Sequence, residues 1–159
     1  MRRTTLDLGP LPDALGYMLR RAQIKVFAGF HAAFDRDDIR PAQYSVLVVI
    51  GRNPGVLASE ISQALAIKPA NLAPMVADFE TRGLIRREKL AHDRRSHGLF
   101  LSADGVRFVK TLERRQKALE ARIIRAFGAR ERGELIALLV RLTAAADLEP
   151  DEETVDNAD

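Results

Sequence analysis

The sequence predicts a mainly α-helical protein with one small β-hairpin. Three observations predict this fold class. Apolar residues recur at helical spacing through most of the 159 residues. Near the middle of the chain, two short helical segments are joined by a tight turn, which is the pattern of a helix-turn-helix. After them, two short apolar runs flank a polar, arginine-rich tip, as expected of a hairpin.

The first helix is predicted to run from an N-cap at Asp13 to about Phe34. Its side chains form two largely apolar stripes at alternating spacings of three and four residues. One stripe consists of Leu15, Leu19, Ala22, Val26, Phe30 and Ala33. The other consists of Tyr17, Arg20, Ile24, Phe27, His31 and Phe34. Because a helix that is apolar on two sides is packed on two sides, we expect it to lie between its own domain and a partner subunit.

Three shorter helices are predicted next. Pro41 suits the first turn of the second helix, and the glycines and proline within residues 51–55 end it. The third helix is predicted over Ala58–Ala66 and the fourth over Lys68–Arg82. Gly83 is expected to stop the fourth helix, since the residue just past a helix often needs positive φ.

The hairpin and two long helices complete the predicted fold. Residues 84–102 read LIRREKLAHDRRSHGLFLS, with strand-like apolar positions on either side of the basic tip. Ser102 is expected to cap a long helix that ends at about Phe127, before Gly128. A last helix is predicted over about Ala129–Ala146.

Charge is divided unevenly along the chain. Residues 147–159 contain seven acidic residues and no basic one, which predicts an acidic, disordered tail. The whole chain has 25 Lys and Arg against 22 Asp and Glu, so residues 1–146 have 25 basic against 15 acidic residues, a net charge of +10. Because phosphates attract Arg and Lys at long range, a basic body predicts a polyanionic partner.

Several classes of protein and site are excluded. The chain has no Cys, so it has no disulfide, thiolate nucleophile or Cys-built metal site. We see no membrane-spanning run and no secretory signal, so we expect a cytoplasmic protein without a membrane partner. No catalytic triad order, phosphate-cradling glycine loop or carboxylate pair is present, so we expect no enzyme, no catalytic residues and no cofactor. His31 with the acids of residues 35–38, and His92 with His97, are weak metal candidates, and no metal site is expected.

Three motifs in order resemble one family. They are Glu60-Ile61 with Leu65 and Ile67, then Glu80 with Gly83-Leu84-Ile85, and then Asp93-Arg94-Arg95 followed by Leu101-Ser102. Over most of residues 13–146 the chain resembles the MarR family of bacterial winged helix-turn-helix regulators. The resemblance implies a winged helix-turn-helix DNA-binding domain at residues 41–103. It also implies a helical dimerisation region formed by residues 1–40 and 104–146, with the tail at 147–159.

The resemblance also implies a function. The chain is expected to bind a palindromic operator in double-stranded DNA as a homodimer, to repress transcription, and to be released by a small effector. Two alternatives stay open at this point: a winged-helix module that binds protein, and a DNA-binding protein without allostery.

The DNA-binding residues are expected at the start of the fourth helix and in the wing. A recognition helix needs short or polar residues at its exposed start to approach base edges. Those residues are Lys68, Pro69, Ala70, Asn71, Ala73 and Pro74. Asn71 can pair with adenine, Lys68 with a phosphate or guanine, and the alanines can touch a thymine methyl. The family commonly has Ser, Thr and Arg where this chain has Ala70, Asn71 and Pro74, and a proline inside the helix removes one backbone hydrogen bond.

In the wing, Arg95 is the candidate for insertion into the minor groove, with Asp93 orienting its guanidinium. The other basic residues are expected to meet phosphates, and they are Arg86, Arg87, Lys89 and Arg94.

An effector pocket is expected between the dimer interface and the DNA-binding domains. We assign to it the second stripe of the first helix with Tyr44 from the second helix: Tyr17, Arg20, Ile24, Phe27, His31, Phe34 and Tyr44, with Arg21 a close alternative to Arg20. Cations among aromatic rings suit an aromatic acid, a phenol or a related thioester. In the alternative interpretation, Arg20 pairs with an acid across the dimer and His31 is a hydrogen-bonded interface residue. Because the chain has no Cys, a thiol peroxide sensor is excluded.

Overall fold

The computed structural model describes residues 6–90 and 96–145. Its helices are α1 (Leu15–Phe34), α2 (Pro41–Arg52), α3 (Ala58–Ala64), α4 (Pro69–Thr81), α5 (Ala103–Phe127) and α6 (Ala129–Ala144). The strands β1 (Ile85–Lys89) and β2 (His97–Leu101) form an antiparallel hairpin between α4 and α5. The predicted mainly helical fold class with one hairpin is therefore confirmed. The acidic segment 147–159 lies outside the described residues.

The start of α1 differs from the prediction. Asp13 is the last residue of a short 3-10 helix, Leu11–Asp13, and α1 follows Ala14 without a side-chain cap. Pro12 explains the difference, because its fixed φ favours a tight turn ahead of the helix. The predicted end at Phe34 is correct.

A core forms where α1, α2, α3, α4, β2 and α5 contribute apolar side chains. Its most deeply buried members are Phe34, Val46, Leu47, Ile50, Ile61, Leu72, Val76, Phe79, Leu99 and Leu112. Each such side chain contributes roughly 1.5–3 kcal/mol through burial. The core therefore holds the helix-turn-helix and the hairpin in one unit.

The turn between α3 and α4 is tight and has a strained residue. Ala66 has a φ of +50°, a conformation that side chains with a Cβ rarely adopt. The backbone N–H of Ile67 donates to the carbonyl of Ser62 at 3.0 Å, and the Ser62 hydroxyl donates back to the carbonyl of Ile67. These reciprocal bonds set the angle at which α4 leaves the turn. After α4, Gly83 has a φ of +67°, as predicted for a helix stop.

The hairpin is supported by a third short segment that the sequence analysis did not predict. β1 and β2 pair in the register Ile85↔Leu101 to Lys89↔His97. On the other edge of β2, the N–H of Leu99 donates to the carbonyl of Val56, and the N–H of Gly55 donates to the carbonyl of Leu99, both at 2.9 Å. This pairing covers the edge of β2 that faces away from β1.

The start of α5 is capped as predicted. The N–H of Gly105 donates to the Ser102 hydroxyl oxygen at 2.9 Å, and the hydroxyl donates to the carbonyl of Gly83 at 2.6 Å. Gly105 is required by packing, since a Cβ there would overlap the carbonyl oxygen of Leu84. The cap thus ties α5 to the end of α4.

The chain divides into two compact units, and the division falls inside α5, between Leu119 and Glu120. In the second unit, the Arg132 guanidinium bonds to the Glu120 carboxylate, with 2.6 Å between Nε and Oε2, and holds α6 to the end of α5. The predicted domain boundaries stay a prediction. Within residues 6–90 and 96–145, every helix is too short or too polar to cross a bilayer.

Candidate nucleic-acid interface

The start of α4 presents its predicted contact residues to solvent. Lys68, Pro69, Ala70, Asn71, Ala73 and Pro74 are all exposed. The opposite face of α4 buries Leu72, Val76 and Phe79 in the core. The apolar face therefore fixes the rotation of the helix and leaves the other face free to contact a partner.

Asn71 is available for recognition rather than for capping. Lys68 is the N-cap residue of α4, and no side chain caps the helix start. The backbone N–H of Asn71 donates to the carbonyl of Lys68 at 2.9 Å, while the Asn71 side chain lies on the exposed face. Its amide can both donate and accept a hydrogen bond, as pairing with adenine requires.

Arg86 and Arg87 lie on opposite faces of β1 and each has an internal acidic partner. Arg87 donates through Nε to Oε1 of Glu80 at 2.8 Å, linking the hairpin to α4. Arg86 donates through Nε to Oε1 of Glu88 at 2.5 Å and stacks over the ring of Phe100, with its Cζ 5.3 Å from the centroid. Neither partner was predicted from the sequence, although the spacing of two between Arg86 and Glu88 places them on one face of a strand.

Of the remaining predicted wing residues, Lys89 is the one that the structure describes. Lys89, at the end of β1, is exposed. Asp93, Arg94 and Arg95 lie outside the described residues.

The predicted effector residues fall into separate groups along α1. Tyr17 and Arg21 are adjacent, with the guanidinium carbon 5.7 Å from the ring centroid. Arg20, Ile24, Phe27 and His31 are exposed in the single chain. Arg21 and Ile24 share a shallow depression of about 380 Å³ on the surface of the helix.

Tyr44 lies at a different aromatic cluster. Its ring centroid is 5.9 Å from that of Phe30 and 5.7 Å from that of Phe34, and the two phenylalanine rings stack at 3.9 Å. His31 meets Phe30 edge-on at 6.4 Å. Phe30 therefore links Tyr44 to His31, although the sequence analysis assigned it to the other stripe. The spacing of four between Phe30 and Phe34 was the available signal.

Electrostatics at Tyr44 favour its neutral form. Burial raises the pKa of the Tyr44 hydroxyl, and the nearby Glu113 carboxylate raises it further, while Arg52 acts in the opposite direction. Arg52 and Glu113 themselves form an ion pair at 2.9 Å. The phenol is thus held as a neutral hydrogen-bonding group at ordinary pH.

A cluster of charged residues joins the loop after α1 to α4 and α5. Arg82, just past the end of α4, donates to the carbonyl of Asp37 at 3.0 Å and to the Asp78 carboxylate at 3.3 Å. Its guanidinium carbon lies 5.5 Å from the centroid of the Phe108 ring. The Asp37 carboxylate forms an ion pair with Arg115 of α5. This cluster was not predicted from the sequence, because its members are far apart in the chain.

A metal centre has no support in the described part of the chain, where no three His, Asp or Glu side chains are grouped to hold an ion.

Comparison with known proteins relates the chain to one family model, one relative and two solved structures. Residues 37–96 match the family model described as MarR family. The chain is 33% identical over 139 residues to the putative transcriptional regulatory protein for the hcr operon of Thauera aromatica, which covers 84% of this chain and 81% of that protein.

Among solved structures, the chain is similar to the transcriptional repressor CouR bound to a 23-mer DNA duplex. The TM-score is 0.79 at 35% identity, covering 88% of this chain and 99% of that one. It is also similar to CouR bound to p-coumaroyl-CoA, with a TM-score of 0.78 at 32% identity over 89% of this chain and 100% of that one. Both similarities confirm the predicted winged helix-turn-helix.

Proposed function

The chain belongs to the MarR family of transcriptional regulators, and we propose that it is a repressor that binds a palindromic operator as a homodimer and is released by a small aromatic effector. The observation that carries this proposal is the exposed face of α4 beside a basic hairpin. Its named relatives are transcriptional regulators, a role without catalysis, and we extend that role and a cytoplasmic location to this chain.

We propose that DNA recognition uses two exposed surfaces, the start of α4 and the hairpin. In the proposed mode, α4 enters the major groove with Lys68, Asn71 and the small residues around them against base edges. The hairpin lies along the backbone, where Arg86, Arg87 and Lys89 meet phosphates. We keep the sequence-based roles of Asp93, Arg94 and Arg95 at the wing tip as part of this proposal.

Arg87 must exchange an internal partner for a phosphate. Its side chain is 44% exposed and that of Glu80 is 33% exposed. An ion pair so accessible to water contributes only about 0–1 kcal/mol. The exchange therefore costs little, and the internal pair holds the guanidinium at the surface before DNA arrives.

A homodimer accounts for the apolar side chains that the single chain leaves uncovered. On α1, Leu15, Ile24 and Val26 are 60%, 57% and 45% exposed. On α6, Leu138 and Val140 are 58% and 60% exposed. Burying such side chains against a second copy is favourable. Two-fold symmetry would then place two recognition helices about 34 Å apart, one turn of DNA.

The effector is proposed to be an aromatic acid, a phenol or a related thioester. The similarity to a repressor bound to p-coumaroyl-CoA supports the thioester in particular. The proposed ligand residues are Tyr17, Arg20, Arg21, Ile24, Phe27, His31 and Tyr44. A ligand there acts only through unequal affinity for the DNA-fitting and non-fitting arrangements of the dimer.

Salt dependence of DNA binding tests the DNA-binding role. The full chain is titrated against its promoter DNA by fluorescence anisotropy at several salt concentrations. A dimer that neutralises about 6–10 phosphates should lose about 10³–10⁵-fold in affinity between about 50 and 200 mM salt. Arg87→Ala should reduce the salt slope by about one per subunit. Arg130→Ala is the matched control, because Arg130 is also exposed and paired with an acid, Glu134.

Two results would contradict this assignment. Failure to bind promoter DNA even at low salt would favour a winged-helix module that binds protein. An equal loss in Arg87→Ala and Arg130→Ala would show that the hairpin is not the contact surface.

Calorimetry tests the effector. We expect p-coumaroyl-CoA, hydroxycinnamate or benzoate to bind and to weaken DNA affinity in the same preparation. Arg20→Ala and His31→Ala should each weaken that binding, and unchanged binding in both would overturn the residue assignment. Binding of DNA that no such ligand weakens would favour a regulator without allostery.

A further inference from the structure

Pro74 leaves one backbone acceptor on the exposed face of α4 without its usual donor. In an α-helix, the N–H of each residue donates to the carbonyl four residues earlier. Pro74 lies inside α4 and has no N–H, so it cannot donate to the carbonyl of Ala70. The proline ring also crowds that carbonyl.

The carbonyl belongs to a residue on the exposed face of α4. With about 3.6 residues per turn, Ala70 and Pro74 lie almost one above the other. Both are exposed, and they are opposite the buried Leu72, Val76 and Phe79. Ala70 and Ala73 carry only methyl groups, so their own side chains do not cover the acceptor.

We propose that the Ala70 carbonyl, freed by Pro74, reads a base amino group in the major groove at one position of each operator half-site. The proposal rests on the DNA-binding role argued above. A carbonyl oxygen accepts but cannot donate. In the major groove, only cytosine N4 and adenine N6 present donors, whereas guanine and thymine present acceptors and a methyl group. The contact therefore selects cytosine or adenine over guanine or thymine.

Pro74 is thus a specificity-determining residue that acts through the backbone of Ala70. The competing role for Pro74 is direct contact of its ring with a thymine methyl group. Substitution distinguishes the two roles, because Pro74→Ala and Pro74→Val both restore the N–H, and only Pro74→Val keeps apolar bulk.

The test is a double-mutant cycle between Pro74 and the base amino group. The wild-type chain first selects its operator from a random DNA library. At each adenine or cytosine of the half-site, the base is then replaced by purine or pyrimidin-2-one, which lack only the amino group. Affinities of wild type, Pro74→Ala and Pro74→Val are measured by competition anisotropy. The net gain from one hydrogen bond predicts about a fivefold loss in wild type at one symmetric position, and no loss there in either variant.

Each outcome decides the matter. Loss of the amino-group effect in both variants supports carbonyl readout. Carbonyl readout is overturned if removing the amino group weakens wild type and both variants equally. It is also overturned if removing the amino group weakens wild type at no position. Replacing each thymine by uracil tests the ring: a loss that wild type and Pro74→Val share and Pro74→Ala lacks assigns the role to the ring instead. A wild-type chain that selects no operator refutes the proposed function itself, which is a separate result. Circular dichroism checks folding, and both variants should unfold at or above the wild-type temperature because an interior proline destabilises a helix.

Discussion

Gly105→Ala should destabilise this protein, although Gly→Ala inside a helix ordinarily stabilises it. The ordinary gain is about 0.5–1 kcal/mol, because glycine has the larger backbone entropy in the unfolded chain. At Gly105, however, a Cβ would lie 2.9 Å from the carbonyl carbon of Leu84 and closer still to its oxygen. Both atoms are backbone atoms of the residue just before β1, so no side-chain rotation relieves the overlap. Overpacking of this kind costs typically 1–3 kcal/mol.

The net expectation is a loss of about 1–2 kcal/mol, or a Tm lower by roughly 2–8 °C. Gly133→Ala is the matched control, since Gly133 is also helical and a Cβ there would meet nothing within 4 Å. That variant should gain about 0.5–1 kcal/mol. Thermal unfolding of both variants and wild type is followed by circular dichroism at one protein concentration, because a dimer's Tm depends on concentration. A Tm for Gly105→Ala equal to or above that of wild type would refute the reasoning.

Two further predictions concern Tyr44 and Arg82. Because the folded pKa of Tyr44 is raised above the usual value of about 10, its contribution to stability is full below that pH and is lost as pH rises through the folded pKa. Urea unfolding should therefore show a steeper fall above about pH 10 in wild type than in Tyr44→Phe, and parallel curves would contradict the raised pKa. Arg82→Ala should lose about 1–2 kcal/mol, since hydrogen bonds from a charged donor to Asp37 and Asp78 are removed. Arg82→Lys should lose less in the same urea titration, and equal losses would show that the charge contributes nothing.

Much of the fold could be predicted because its signals are local. Pro41, Gly83 and Ser102 set helix ends through the chemistry of one residue and its near neighbours. Asp13 was predicted to cap α1, but it ends a short 3-10 helix instead. The local capping signal of Asp13 was overridden by the turn that Pro12 favours.

The pairing of Val56 with Leu99 could not be predicted in the same way. This pairing joins residues far apart in sequence. A segment that contributes a single bridge is too short to show the alternating pattern of a strand. The same limit applies to the candidate site. Spacing placed Lys68, Asn71 and Pro74 on a helix start, but the acidic partners of the hairpin arginines depend on how β1 meets α4.

The sequence by itself determined the order of the helices, the position of the hairpin, the basic body and the family, because these follow from periodicity, capping chemistry, charge and motif spacing. Only the tertiary structure decided that Arg87 pairs with Glu80 and that Phe30 joins Tyr44 to His31. It also decided that Arg82 and Arg115 both bind Asp37. These contacts form between segments distant in the chain, and their geometry is set by the packing of the whole core rather than by any local pattern.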